Sequence, residues 1–64
     1  MVRFLERQGF TLIRVRGSHH VMASGARHTV VPVHGGDAIK TGTLRKILRD
    51  VGLSTAEFEQ LWNT

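Results

Sequence analysis

The 64-residue chain carries nine Lys and Arg against five Asp and Glu, four His and no Cys, for a formal charge of +4. That length makes one domain, spanning residues 1–64, and a domain this small buries only about 60% of the surface its unfolded chain would expose, so no cofactor-binding domain fits beside a catalytic one. With no Cys there is no disulfide framework and no thiolate zinc site, and the apolar runs fall far short of the ~20 residues that cross a membrane.

Residues 1–8 place Val2 and Leu5 three apart with Arg3, Glu6 and Arg7 between them, which predicts a short amphipathic helix. Gly9 supplies its left-handed stop. Residues 11–16 alternate as a strand, with Ile13 and Val15 facing one way and Leu12, Arg14 and Arg16 the other. Gly17 and Ser18 make a tight connection to a second strand over 19–23, in which His19 and Val21 share one face and His20 and Met22 the other. The two adjacent histidines therefore cannot do the same job. Ser24, Gly25 and Ala26 turn the chain into a third strand over 28–33, an edge strand at Pro32 because proline cannot donate to a ladder.

His34, Gly35 and Gly36 open a loop that runs to Lys40. Thr41 is the candidate N-cap of a helix whose Leu44, Ile47, Leu48 and Val51 fall at i, i+3, i+4 and i+7, the strongest periodic signal in the chain. Arg45, Lys46 and Arg49 occupy its other face, and Gly52 ends it. Ser54 with Glu57 three residues later reads as a capping box, with Leu53 and Phe58 placed as a hydrophobic staple. A short last helix carries Phe58, Leu61 and Trp62 to the core or to a partner. The expected class is α+β, with a three-stranded antiparallel sheet in the order α-β-β-β-α and a short C-terminal helix.

The charge is uneven. Residues 1–49 hold all nine bases against Glu6 and Asp37, a net +7, whereas the last fifteen residues hold Asp50, Glu57 and Glu59 and no base, a net −3. A basic body suits a polyanion or an acidic protein. Arg14 and Arg16 lead into the Gly17-Ser18-His19 turn, and Lys40 precedes a helix whose N-terminal amides favour anions. No basic, apolar and small-residue leader precedes the body, so the expected location is the cytoplasm.

Three readings compete for the histidines. They are polar residues of half-exposed strands; or they bind a metal, which the lack of Cys and the opposed directions of His19 and His20 disfavour; or one of them is a general acid or base beside a phosphate-binding surface. Imidazole exchanges protons near neutral pH. RNA brings its own nucleophile, the 2′-hydroxyl, so a small protein need only position the phosphate, move protons and offset charge.

The ordered set Gly9-Phe10, Arg14, Gly17-Ser18-His19-His20, Val31-Pro32-Val33-His34, Ile39-Lys40-Thr41-Gly42-Thr43-Leu44, Ile47-Leu48 and Gly52-Leu53-Ser54 resembles the HicA toxins of bacterial toxin-antitoxin pairs. The resemblance covers residues 4–61, with a first helix shorter than is usual in the family. It implies a fold like that of double-stranded-RNA-binding domains and a metal-independent, cofactor-free endoribonuclease that cleaves mRNA. It also implies a HicB-type antitoxin as partner. The family's catalytic histidine follows the Gly-Ser pair and falls on His19, with His20 as the alternative. The RNA-binding residues expected beside it are Arg14, Arg16, Ser18, His34, Lys40 and Lys46, while His28 matches no motif of the family. A non-catalytic RNA-binding module using the same sheet and basic helix is the competing function.

Overall fold

A computed structural model describes residues 1–33 and 39–62. Its elements are α1 (Val2–Arg7), β1 (Thr11–Arg16), β2 (His19–Ser24), β3 (Arg27–Pro32), α2 (Thr41–Val51) and α3 (Thr55–Trp62), and the strands form one antiparallel sheet in the order β1-β2-β3. This is the expected α+β order, and β3 is an edge strand as Pro32 requires. Among the described residues no helix is long and apolar enough to cross a membrane.

Both hairpins are closed by two-residue turns. Arg16 pairs with His19 across Gly17-Ser18, and Ser24 with Arg27 across Gly25-Ala26. In each turn the first residue is a glycine at φ near +60° and the second has an ordinary φ, the dihedral pattern of a II′ turn, whose twist matches that of the strands. These turns set the register. His20 then lies opposite Val31 and Met22 opposite Thr29, and this row of side chains meets the helices. Phe4, Leu5, Phe10, Met22, Val31, Ile47 and Val51 form the buried core, with α1 against β1 and β2 and α2 against β3.

One expectation about β1 is overturned. Leu12 pairs with Met22 but Arg14 pairs with Val21, because Ile13 is an extra residue in a β-bulge. The bulge resets the alternation, so Leu12 and Val15 lie on the helix side while Arg14 and Arg16 share the opposite side. Strict period-two counting had put Leu12 with the arginines.

The helix ends follow local chemistry. Past α1, the Gly9 and Phe10 amides bond back to the Glu6 and Leu5 carbonyls at 3.0 and 2.9 Å, and past α2 the Gly52 and Leu53 amides bond back to Arg49 and Leu48 at 3.3 and 2.9 Å. Both are Schellman ends around a left-handed glycine. Gly52 is required by its left-handed φ of +78°; a Cβ there would meet only the far end of the exposed Arg27 side chain, which can move aside. At the start of α2 the cap is Lys40, not Thr41. Lys40 has the extended backbone of a cap residue, its carbonyl takes the Leu44 amide at 2.9 Å, and no side chain caps this end. The capping box of α3 forms as expected, with the Ser54 amide donating to Glu57 Oε1 at 2.9 Å and the Glu57 amide donating to Ser54 Oγ at 3.1 Å.

Two groups of contacts hold the elements together, one between helices and one between helix and sheet. Phe4 of α1 packs edge-on against Phe58 of α3 at 5.2 Å, and Trp62 closes the cluster at 5.5 and 5.4 Å from the two rings; such pairs add about 0.5–1.5 kcal/mol beyond area burial. Between α2 and β3, the buried Thr29 hydroxyl donates to Asp50 Oδ2 at 2.9 Å, and Lys46 donates to the same oxygen at 3.1 Å.

Burial pushes the Asp50 carboxyl up, but the Lys46 and Thr29 hydrogen bonds and the charges of Lys46 and His28 outweigh it and leave the group below its ordinary value of 3.8. Glu57 is held below its ordinary 4.5 by the Ser54 amide first and the Ser54 hydroxyl second. A carboxyl depressed on folding stabilises the fold above its unfolded pKa and loses that contribution as pH falls through the folded one. Stability measured by urea unfolding should therefore hold level from neutral pH down to the ordinary carboxylate range and fall below it. Asp50→Ala leaves the Thr29 hydroxyl buried without its partner and should cost about 1–3 kcal/mol at pH 7.

Candidate nucleic-acid interface

The sheet has one face against the helices and one face without them. Register defines the rows of the bare face: Arg16, His19 and Pro32; then Arg14, Val21 and Val30; then Thr11, Ala23 and His28. Neighbours within a row are on adjacent strands, about 4.5–5.5 Å apart at Cα. Successive rows are two residues, or about 6.6–6.8 Å, apart along β2 and β3. Arg14, Arg16 and His19 are all exposed. An imidazole thus stands directly across the ladder from one guanidinium and diagonally from a second, at the hairpin end of the sheet, with apolar Val21, Val30 and Pro32 completing the floor.

His20 faces the other way. It lies opposite Val15 on one side and Val31 on the other, is half-buried, and its Nδ1 is buried with no hydrogen-bond partner among the described residues. Of the adjacent pair, His19 alone shares a face with Arg14 and Arg16.

The remaining expected site residues scatter. Ser18 is half-buried in the turn beside His19, and its carbonyl accepts the Val33 amide at 2.6 Å, which ties the first hairpin to the end of β3. Lys40 is exposed at the start of α2. Lys46 does not join the arginines: it belongs to the helix layer, ion-paired to Asp50 beside residues 26–30, while His19 pairs with Pro32 at the other end of β3. Counting charge along the sequence grouped Lys46 with Arg14 and Arg16, and only the layering separates them. His34 lies outside the described residues. Arg27, which motif and spacing passed over, lies across the C-terminal end of α2, where a cation complements the free carbonyls. Its position at the start of β3 and the Gly52 stop would have been the signal.

A family model described as the HicA toxin of bacterial toxin-antitoxin matches residues 1–53. The chain belongs to the HicA toxin family, the toxin half of a toxin-antitoxin pair, and membership implies an antitoxin partner. No curated protein and no solved structure matches it. The matched residues hold α1, the whole sheet and α2; α3 follows them, although the motif resemblance was traced to residue 61.

The two faces make a chemical prediction. Diethyl pyrocarbonate at neutral pH should acylate His19 ahead of His20, as read by peptide mapping. Faster modification of His20 would mean that the sheet is turned over.

Proposed function

We propose that this toxin is a metal-independent endoribonuclease acting on mRNA, with His19 as its proton-transfer group and the bare sheet face as its substrate surface. The observation that carries this reading is the row Arg16-His19 with Arg14 one step along the same face. An imidazole alone moves protons, and a guanidinium alone binds phosphate. Side by side on an exposed face they supply the parts that RNA cleavage needs from a protein.

In this reading a backbone phosphate sits between Arg16 and Arg14. The neighbouring 2′-hydroxyl attacks the phosphorus as the bond to the 5′-oxygen breaks, leaving a 2′,3′-cyclic phosphate and a free 5′-hydroxyl. His19 takes the proton from the 2′-hydroxyl as general base or delivers one to the departing 5′-oxygen as general acid, with water exchanging the other proton, and help of this kind is worth about 10²–10⁴-fold. The arginines offset the charge that builds on the non-bridging oxygens. Ser18, in the turn beside His19, and Lys40 are further candidates for phosphate contact. His34 is kept for the same role on motif grounds. Lys46 is the weakest of the set, because its ammonium is already engaged by Asp50. The protein acts in the cytoplasm, and a HicB-type antitoxin neutralises it by covering this face.

His19→Ala should remove toxicity in growing bacteria and lower cleavage of a model RNA by about 10²–10⁴-fold, with EDTA leaving the wild-type rate unchanged. Full cleavage by His19→Ala together with its loss in His20→Ala would move the role to the other histidine. RNA that is bound but never shortened would leave the binding-module reading instead. Arg14→Ala and Arg16→Ala should each weaken RNA binding and reduce the slope of log affinity against log salt by about 1.

A further inference from the structure

The sheet has two outer edges, and they are not treated alike. Because the residues flanking the two-residue turns exchange ladder bonds, His19, Val21 and Ala23 of β2 direct their backbone groups to β1, while His20, Met22 and Ser24 direct theirs to β3. The outward-pointing residues of β3 are therefore His28, Val30 and Pro32. Pro32 has no amide to offer a further strand, and Lys46 and Asp50 of α2 lie alongside residues 26–30. Both are recognised ways of closing an edge.

On β1 the outward-pointing residues are Val15 and Leu12, opposite His20 and Met22. Neither is proline or charged. With Ile13 they are the large apolar side chains that β1 leaves in water, 54%, 37% and 60% exposed for Val15, Leu12 and Ile13. The bulge at Ile13, itself a feature that blunts an edge, interrupts β1 there, and residues 14–16 keep a regular register with β2. The edge thus presents an alternation of its own: Val15 on the helix side, Arg14 and Arg16 on the bare side.

We propose that the outer edge of β1 is a strand-addition surface, which receives from the antitoxin an extended segment that sets apolar side chains against Val15 and Leu12 and carboxylates against Arg14 and Arg16. Strand addition draws affinity from main-chain bonds and specificity from alternating side chains. A second copy of this chain is disfavoured as occupant, since antiparallel pairing of two β1 edges would set four guanidinium groups together on one face. An acidic segment turns the same arginines from a cost into an attraction. Its carboxylates would lie in the row next to His19, so one contact would hold the partner and exclude RNA.

The source of the segment rests on the antitoxin reading above; the edge itself does not depend on RNA cleavage, and the test keeps the two apart. The probe is an end-blocked seven-residue peptide of alternating valine and glutamate, added to the full chain and followed by amide NMR. The amides of Val15 and Leu12 should shift and gain protection from exchange, while those of His28 and Val30 stay unmoved. An alternating valine-lysine peptide, or one with the same valines and glutamates in two blocks, should bind at least about tenfold more weakly. Val15→Lys, at an exposed position, should reduce binding by about tenfold while its RNA cleavage remains that of the wild type. Should Val15→Lys fail to fold, Leu12→Lys serves with the same expectation. Equal binding of the valine-lysine peptide or of the two-block control, shifts at β3 in place of β1, or self-association through residues 12–16 without peptide would each overturn the proposal. None of those readouts involves cleavage, so an inactive protein that binds the peptide would sink the ribonuclease reading and leave this one standing.

Discussion

The register of the three-stranded sheet is the constraint on which the molecule turns. Side chains in a strand alternate, so a slip of one residue in β2 would exchange every group between the two faces. Two two-residue turns with glycine at their first position hold the register from both ends. The core reinforces it, because Met22, Thr29 and Val31 are buried only when this row points at the helices. A slip would expose Met22 and move His20 to the bare face in place of His19. The geometry of the candidate site is therefore a by-product of core packing, and it shares one determinant with stability.

The helices are committed to one side of the sheet. α2 is pinned to β3 by Asp50, which accepts from both Thr29 and Lys46, and α3 is attached to α1 through the rings of Phe4, Phe58 and Trp62. Other proteins would spend a further helix on the second face. Here the described residues leave it uncovered, and a face carrying an imidazole between an arginine and a proline is available to a ligand that brings much of its own chemistry.

Four of the nine basic residues fall into two groups that a net charge of +4 cannot distinguish. Arg14 and Arg16 stand on the sheet, and among the described residues their side chains have no ion-pair or hydrogen-bond partner. Lys46 and Arg27 are engaged at the C-terminal end of α2, by the carboxylate and the carbonyl of Asp50, and serve the fold. The same division explains why the acidic end of the chain does not cancel the basic body: Asp50 meets the helix-layer cations, not the sheet-face pair.

Much of this was legible in the amino-acid sequence because it is governed by near neighbours. Turn glycines, the capping box of Ser54 and Glu57, the apolar period of α2 and the opposed directions of His19 and His20 all follow from local dihedrals and spacing, and the family motifs lie on the same short segments. What the tertiary structure alone decided involves partners distant in the chain. The bulge at Ile13 depends on how β1 meets β2, so counting by twos misplaced Leu12. Lys40 rather than Thr41 caps α2, with Thr41 taken into the helix as its first residue. The separation of Lys46 from the arginines depends on which layer each element joins. Sequence alone determined which residues could do the chemistry; which of them share a face was settled by packing, because a face is a relation between strands and no single segment contains it.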